Sequence, residues 1–275
     1  MRQFMNPRGP RGERDSHPAA PVPAVPAEEQ EENLNLIEGR NAVTEALRSG
    51  RTIDKVYLAE GAGDHGLLRL ASLAKQAGAV VVKVDRRKLD QMSATGVHQG
   101  IIAMGAAHEY ATIDDMLRLA EQRGENSLLI LCDELSDPHN LGAILRTGEC
   151  AGAHGVIIPK RRSVGLTAVV AKASAGAIEY LPVARVANLT AAIKELKEKG
   201  VWIFGAAAEG DTKLCEADFR RPCAIVIGSE GEGMGRLVAE QCDYRVSIPM
   251  KGKISSLNAS AAAAVLLYEV VRQRE

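Results

Sequence analysis

The sequence has few aromatic residues and almost no net charge. Phenylalanine, tryptophan and tyrosine make up 3% of its 275 residues. This scarcity argues against a core of packed aromatic rings and against RNA-binding modules that stack bases on aromatic side chains. The formal net charge of −1 at pH 7 excludes a strongly basic nucleic-acid binder. Local basic patches are still allowed, and only local patches matter at a phosphate.

Cysteines and long apolar runs are also scarce. The five cysteines are odd in number and none belongs to a Cys-x-x-Cys pair, so we expect neither disulfides nor a metal site. No apolar run approaches the roughly 20 residues that span a bilayer. The charged N-terminus lacks the apolar stretch of a signal peptide. We therefore expect a cytoplasmic protein with no membrane contact.

Proline and hydrophobic residues divide the chain into regions. Six of the eleven prolines fall in residues 1–33, which predicts a disordered tail, basic first and acidic last. This tail is either a solvated leader or a basic arm that touches RNA phosphates. Residues 34–109 predict a small α/β unit, residues 110–126 a linker, and residues 127–275 a larger domain.

The larger region alternates apolar strands with amphipathic helices. Its predicted strands are continuous apolar runs, which are typical of strands buried on both faces. The sequence therefore predicts an α/β fold with a mostly parallel sheet and helices on both faces. The predicted strands are Leu128–Cys132, Gly155–Pro159, Val201–Ala206, Ala224–Gly228 and Tyr244–Pro249, and the predicted helices are Leu141–Ala151, Leu189–Lys199 and Asn258–Arg272.

Polar or glycine-rich segments follow three of these strands, where open parallel sheets bind ligands. In the first segment, Asn140 and Arg146 could converge on one ligand if Asn140 lies in a loop. Alternatively, Asn140 caps a helix and Arg146 is an ordinary surface residue. The second segment, Gly228–Gly235, has glycines that permit close backbone approach to a ligand, but it matches neither a Walker A loop nor G-x-G-x-x-G. In the third, Ser256 or Asn258 can cap the last helix.

Together these segments, NLGAILRT, IVIGSEGEGMG and IPMKGKISSLNASAAAAVLLYE, resemble the motifs of the SpoU/TrmH branch of the SPOUT methyltransferases. The resemblance implies a trefoil-knotted C-terminal domain and a homodimer with its cofactor sites at the subunit interface. Residues 34–109 resemble the ribosomal-protein-like RNA-binding domain of a subgroup that methylates a guanosine of large-subunit (23S) ribosomal RNA.

The activity implied by the resemblance is methyl transfer from S-adenosylmethionine (SAM) to a ribose 2′-hydroxyl of RNA. A tRNA ribose methyltransferase and a non-catalytic RNA-binding relative are the alternatives. The implied SAM-binding residues are Gly228, Ile248, Leu257, Ala206 and Ala207, and the implied catalytic residues are Arg146, Asn140, Glu230 and Asn258.

Arg146 has two possible roles. The family's arginine is usually assigned as the proton acceptor, yet a guanidinium is essentially always charged. We therefore expect Arg146 to bind a phosphate and stabilise the developing alkoxide. The sequence also contains two basic clusters that we predict to bind RNA: Arg86, Arg87 and Lys88 in the small unit, and Lys160, Arg161 and Arg162 in the large one.

Overall fold

The computed structural model describes residues 35–61, 64–93, 95–106 and 108–275. The tail predicted for residues 1–33 lies outside the described residues. The chain forms an N-terminal domain, residues 35–106, and a C-terminal domain, residues 108–275, each built around its own β-sheet.

The N-terminal domain is a mixed sheet covered by helices. The strand order is β1-β4-β2-β3, with β2 and β3 parallel and β4 antiparallel to its neighbours. Val56 and Leu58 of β2 point into the apolar core, whereas Lys55 and Tyr57 alternate onto the other face. The elements are β1 (Leu36–Glu38), α1 (Arg40–Arg48), β2 (Ile53–Ala59), α2 (His65–Gln76), β3 (Val80–Val84), α3 (Arg86–Met92) and β4 (Ile101–Gly105).

The C-terminal domain contains a seven-stranded sheet in which every pairing is parallel, in the order β7-β6-β5-β10-β8-β11-β9. The predicted α/β class and parallel sheet are confirmed. The elements are α4 (Ile113–Arg123), β5 (Leu128–Cys132), α5 (Pro138–Cys150), β6 (Gly155–Pro159), α6 (Ala168–Ala173), β7 (Val183–Val186), α7 (Leu189–Glu198), β8 (Trp202–Ala206), β9 (Thr212–Lys213), β10 (Cys223–Ile227), α8 (Arg236–Ala239), β11 (Tyr244–Ser247) and α9 (Ala259–Arg274).

Helices cover both faces of this sheet because its strands are apolar on both sides. In β5, Ile130 and Cys132 pack into the layer formed by α5, α6 and α9, and Leu129 and Leu131 pack into the layer formed by α4, α7 and α8. All five β5 residues are buried. The continuous apolar run in the sequence reflects this two-sided burial.

The segment predicted as a linker, residues 110–126, differs from that prediction. It contains helix α4, which begins at a capping box formed by Thr112 and Asp115 and ends at Gly124 in the left-handed conformation. Met116 of α4 is fully buried, and a Cβ at Gly155 of β6 would collide with its side chain. Helix α4 is therefore an integral layer of the C-terminal domain.

Several short elements were not predicted from the sequence. The first basic cluster lies in one of them, α3, and the others include β1, β7, β9, α6 and α8. These elements have two to seven residues, too few to show a clear hydrophobic period. Apart from α4, the longer helices and the central strands match their predicted positions to within a few residues.

Candidate active site

A cavity of about 590 Å³ lies at the carboxyl ends of β8, β10 and β11. The loops that follow these strands form its walls, and Ala259 and Ala262 of α9 form part of its base. We call this the loop cavity. The structure brings all five residues predicted to bind SAM to its lining: Ala206, Ala207, Gly228, Ile248 and Leu257.

The glycine loop after β10 owes its shape to close backbone contacts. Ser229 and Gly233 exchange two backbone hydrogen bonds, each 3.0 Å long. A Cβ at Gly228 would collide with the backbone of Gly233 and Met234. The glycine at 228 therefore makes room for the loop itself, and it also lines the loop cavity, so its predicted role in SAM binding stays a prediction.

Asp133, which the sequence analysis did not single out, anchors the far end of this loop. Its Oδ2 accepts a hydrogen bond of 2.8 Å from the backbone N–H of Gly235. Burial raises the pKa of this carboxyl, whereas the Gly235 hydrogen bond lowers it. Asp133 directly follows β5, which is the signal that could have identified it.

Three predicted polar residues meet beside the cavity. Glu230 Oε1 accepts hydrogen bonds from Asn140 Nδ2 at 2.8 Å and from Asn258 Nδ2 at 2.5 Å. Asn258 Nδ2 also donates to Asn140 Oδ1 at 2.9 Å. Glu230 and Asn258 lie 90 and 118 positions after Asn140 in the chain, so only the fold joins them. We call this arrangement the polar triad.

The two asparagines differ in their local roles. Asn258 caps α9, because its Oδ1 accepts from the N–H groups of Ser260 and Ala261. Asn140 does not cap α5, since the side chain of Asp137 does so. Asn258 thus uses its oxygen for the helix and its amide nitrogen for the triad, so the capping and functional interpretations are both compatible with the structure.

Arg146 lies apart from the polar triad. Both Asn140 and Arg146 belong to α5, so the loop position that would have let them converge does not occur. Six helical residues correspond to about 9 Å along the axis and a different face of the helix. Arg146 is exposed, does not line the loop cavity, and has no hydrogen-bond or ion-pair partner among the described residues.

The charged residues around the loop cavity are mostly acidic. Of the residues that the structure describes, Glu209, Glu230 and Glu232 line it together with a single cation, Arg245. Arg245 is itself paired with Asp211, with Nη2 at 2.5 Å from Oδ2. The cavity therefore favours a ligand that carries positive charge and presents apolar surface to the alanines.

Two of the six residues predicted to bind RNA line a second cavity, of about 530 Å³, between the two domains. We call it the interdomain cleft. Lys88 of α3 lines it from one side and Arg162 from the other. The other four, Arg86, Arg87, Lys160 and Arg161, do not line it, although they adjoin these two residues in the chain. Arg146 does not line the cleft either.

Comparisons with known proteins agree with this arrangement. Residues 127–268 match the model of the SpoU rRNA methylase family, and residues 36–111 match a domain described as RNA 2′-O ribose methyltransferase substrate binding. The chain is 51% identical to a Bacillus subtilis (strain 168) protein, YacO, assigned to the TrmH family of tRNA/rRNA methyltransferases, over 86% of this chain and 94% of that protein.

The chain belongs to the SpoU rRNA methylase family. The predicted enzyme class, a SAM-dependent RNA ribose 2′-O-methyltransferase, is thereby confirmed.

Two solved structures show how far the fold is shared within the SpoU family. An AdoMet-bound rRNA methyltransferase from Sinorhizobium meliloti has a TM-score of 0.55 at 22% identity, and covers 89% of this chain and 90% of its own. A TrmH/SpoU tRNA modifying enzyme from A. aeolicus has a TM-score of 0.50 at 26% identity, but covers only 58% of this chain and 83% of its own. The first likeness therefore extends over both domains.

The domain contact in this SpoU family member is polar. Asp54 of β2 accepts from Arg185 Nη1 of β7 at 2.6 Å and from the Tyr110 hydroxyl at 2.8 Å. The Tyr110 oxygen also accepts from the N–H of Leu166. Burial raises the pKa of Tyr110, with a further contribution from Asp54. Sequence analysis missed all of these residues, because no local pattern pairs positions 131 apart.

Membrane-spanning helices and clustered metal ligands are both absent from the described ranges. No helix there is long and apolar enough to cross a membrane. The same residues contain no group of three or more histidine, cysteine, aspartate or glutamate side chains placed to hold a metal ion.

Proposed function

We propose that the protein methylates a ribose 2′-hydroxyl of ribosomal RNA, with SAM bound in the loop cavity. One observation carries the proposal: every residue predicted for SAM lines the same cavity, and Glu230 at its edge belongs to the polar triad. SAM supplies a methyl group on a positively charged sulfonium. An acidic cavity with small apolar walls fits such a molecule in charge and shape.

The chain's own groups suit an in-line transfer. The backbone of the loops after β8, β10 and β11 offers N–H and C=O groups for the adenine. The polar triad fixes the start of α5 against the start of α9, and orients its groups toward a ribose at the cavity mouth. Holding the hydroxyl oxygen in line with the methyl carbon lowers the barrier through orientation alone, by up to roughly 7–11 kcal/mol.

Arg146 contributes from outside the cavity in this proposal. Its exposed guanidinium is positively charged and has no partner among the described residues, so it is available for a phosphate or a developing alkoxide. Because Arg146 lines neither cavity, RNA or a second chain must bring the reacting groups to it. The ribose proton leaves to solvent or to a neighbouring group, and the methyl–sulfur bond breaks as the methyl–oxygen bond forms.

A homodimer is part of the same proposal. Helix α9 buries Ala263, Leu266 and Val270 in the core, but its opposite side exposes Val265 and Tyr268 at 40% and 52%. Exposed apolar side chains on the side of a helix that faces away from the core favour a protein interface. Ile254 and Met250, in the loop before α9, are also exposed, and Met250 lines the loop cavity.

Light scattering at micromolar concentration tests the dimer. We expect twice the 29.3 kDa mass of the chain. A fully active monomer would contradict both the dimer and a site shared between two chains. The knot implied by the family resemblance stays a prediction.

Large-subunit ribosomal RNA, with guanosine as the methylated nucleotide, is the substrate we propose. The N-terminal domain supports this choice, because the likeness to a protein described as an rRNA methyltransferase spans both domains, whereas the likeness to a tRNA modifying enzyme covers 58% of the chain. This support is an analogy of domain content.

Three measurements test the activity and its substrate. Calorimetry should detect SAM binding, and purified protein should transfer methyl groups to ribosomal RNA from a deletion strain. Mapping 2′-O-methylation in that strain should show that one ribosomal position is unmethylated. If a tRNA position is unmethylated instead, the substrate is tRNA. SAM binding without any methyl transfer would identify a non-catalytic relative.

A further inference from the structure

The interdomain cleft has the size of a ligand site, and residues of both domains line it. Its volume of about 530 Å³ lies within the range of small-molecule pockets. Lys55 and Tyr57 of β2 and Lys88 of α3 form one wall, and Arg162 and Arg185 belong to the other. Neither domain alone forms it, so its occupant would contact both.

Positive charge dominates the lining of this cleft. Among the described lining residues, Lys55, Lys88, Arg162 and Arg185 face a single carboxylate, Asp54. Arg185 already neutralises Asp54, and Arg162 is paired with Glu134. The side chains of Lys55 and Lys88 have no hydrogen-bond or ion-pair partner among the described residues. In a chain whose net charge is −1, this concentration of cations favours an anionic ligand.

Arg185 adds a fixed positive charge to the wall of the cleft. Its side chain is 6% exposed, and its Nη atoms bond to Asp54 and to the carbonyl of Lys160. Its Nε is buried and has no hydrogen-bond partner among the described residues. An anion in the cleft would therefore interact with the charge of the guanidinium and not with the buried Nε.

The cleft adjoins the polar triad through the beginning of α5. Ser136 and Pro138 line the cleft, and Asn140, two residues after Pro138, belongs to the triad. Two residues span at most about 7 Å of chain, so the cleft and the triad lie on two sides of the same short segment. A polymer that presents one ribose at the triad can therefore place a neighbouring phosphate in the cleft.

We infer that the interdomain cleft binds the phosphodiester backbone of the substrate RNA next to the methylated nucleotide, with Lys55 and Lys88 as its principal phosphate contacts. The identity of the ligand rests on the proposed function. The cleft then sets which nucleotide reaches the triad, because a phosphate held by both domains fixes the register of the strand.

Salt dependence of binding measures these contacts directly. A fluorescent oligouridylate is titrated with full-length protein over a series of KCl concentrations. Removing one phosphate-binding cation should reduce the slope of log affinity against log salt by about 0.7 for a single strand. Lys55→Ala and Lys88→Ala should each show this reduction, and the double variant should show about 1.4. SAM affinity, measured by calorimetry, should stay unchanged.

Lys83→Ala is the matched control. Lys83 is an exposed lysine of the same domain, and its pairing with Leu58 places it on the opposite face of the sheet from Lys55. Its slope should equal that of the wild type. The inference is wrong if Lys55→Ala and Lys88→Ala keep the wild-type slope. It is also wrong if Lys83→Ala lowers the slope as much as they do. Should Lys55→Ala fold poorly, Lys88→Ala decides, since Lys88 is exposed on α3.

The same proteins separate this inference from the proposed function. Methyl transfer to ribosomal RNA by the wild type tests the proposed function alone. Methyl transfer by the wild type, with unchanged slopes in the variants, would contradict RNA binding in the cleft and leave the proposed activity standing. Reduced slopes in the variants, without methyl transfer by the wild type, would support the cleft as an RNA site and contradict the proposed methylation of ribosomal RNA.

Discussion

The two cavities of this protein are similar in volume and opposite in charge. In the described part of the chain, three glutamates and one arginine line the loop cavity, whereas four cations and one aspartate line the interdomain cleft. The first forms within one domain, from loops at one edge of a parallel sheet. The second forms only where two domains meet. A net charge near zero therefore conceals two sites suited to a cationic cofactor and an anionic polymer.

The cavities also differ in what keeps them in shape. The loop cavity depends on backbone contacts within its glycine loop and on the polar triad. The interdomain cleft depends on one buried ion pair, Asp54 with Arg185. Substitutions should consequently affect the cavities in different ways, and the following variants test that difference in order of expected effect.

Arg185→Ala should cause the largest decrease in stability. It leaves the buried Asp54 carboxylate without its cationic partner and with only the Tyr110 hydroxyl, and removing one member of a buried ion pair typically costs about 3–5 kcal/mol. Arg162→Ala, also at the cleft, should leave stability nearly unchanged, because the Arg162 side chain is 79% exposed in its pair with Glu134. Urea unfolding measures both. Equal decreases would show that the buried pair does not hold the cleft together.

Arg146→Ala should reduce the rate of methyl transfer by about a hundredfold, equivalent to about 3 kcal/mol of transition-state stabilisation. SAM affinity should stay unchanged, because Arg146 does not line the loop cavity. Arg123→Ala, at an exposed arginine on α4, is the control. Single-turnover kinetics with ribosomal RNA measures the rate, and near-normal turnover would refute a catalytic role.

Gly228→Ala and Gly231→Ala form a matched pair in the glycine loop. A Cβ at Gly228 would collide with the backbone of Gly233, whereas a Cβ at Gly231 has no neighbour within 4 Å. The first change should cost about 1–3 kcal/mol of stability and weaken SAM binding, since the loop must open. The second should do neither. Thermal melting and calorimetry with SAM compare them, and similar behaviour would contradict the loop-closure role.

Glu230→Gln should have the smallest effect, a several-fold weakening of SAM affinity equivalent to about 1 kcal/mol. The amide keeps the size of Glu230 and an oxygen for Asn140 and Asn258, so mainly the negative charge is removed. Glu216→Gln, at an exposed glutamate outside both cavities, is the control. Calorimetry at low salt measures the difference, and unchanged affinity would show that the acidic lining does not contribute to cofactor binding.

The sequence by itself determined the layers of the C-terminal domain and the composition of the loop cavity. Continuous apolar runs such as Leu128–Cys132 identify strands buried on both faces, and ligand loops in such sheets follow the strands directly. Together with the family's motifs, these local signals were enough to name the five cofactor candidates. The capping box at Thr112 was an equally local signal for α4 and was missed in the segment interpreted as a linker.

The tertiary structure alone decided which distant polar groups meet. Asn140, Glu230 and Asn258 form hydrogen bonds across 90 and 118 positions, while Arg146, on the same helix as Asn140, stays apart. Asp54 and Arg185 lie in different domains, and their pairing creates the cleft that neither domain encodes alone. Hydrophobic periodicity is local and survives in the sequence, whereas hydrogen bonds and ion pairs between distant residues depend on how the elements pack.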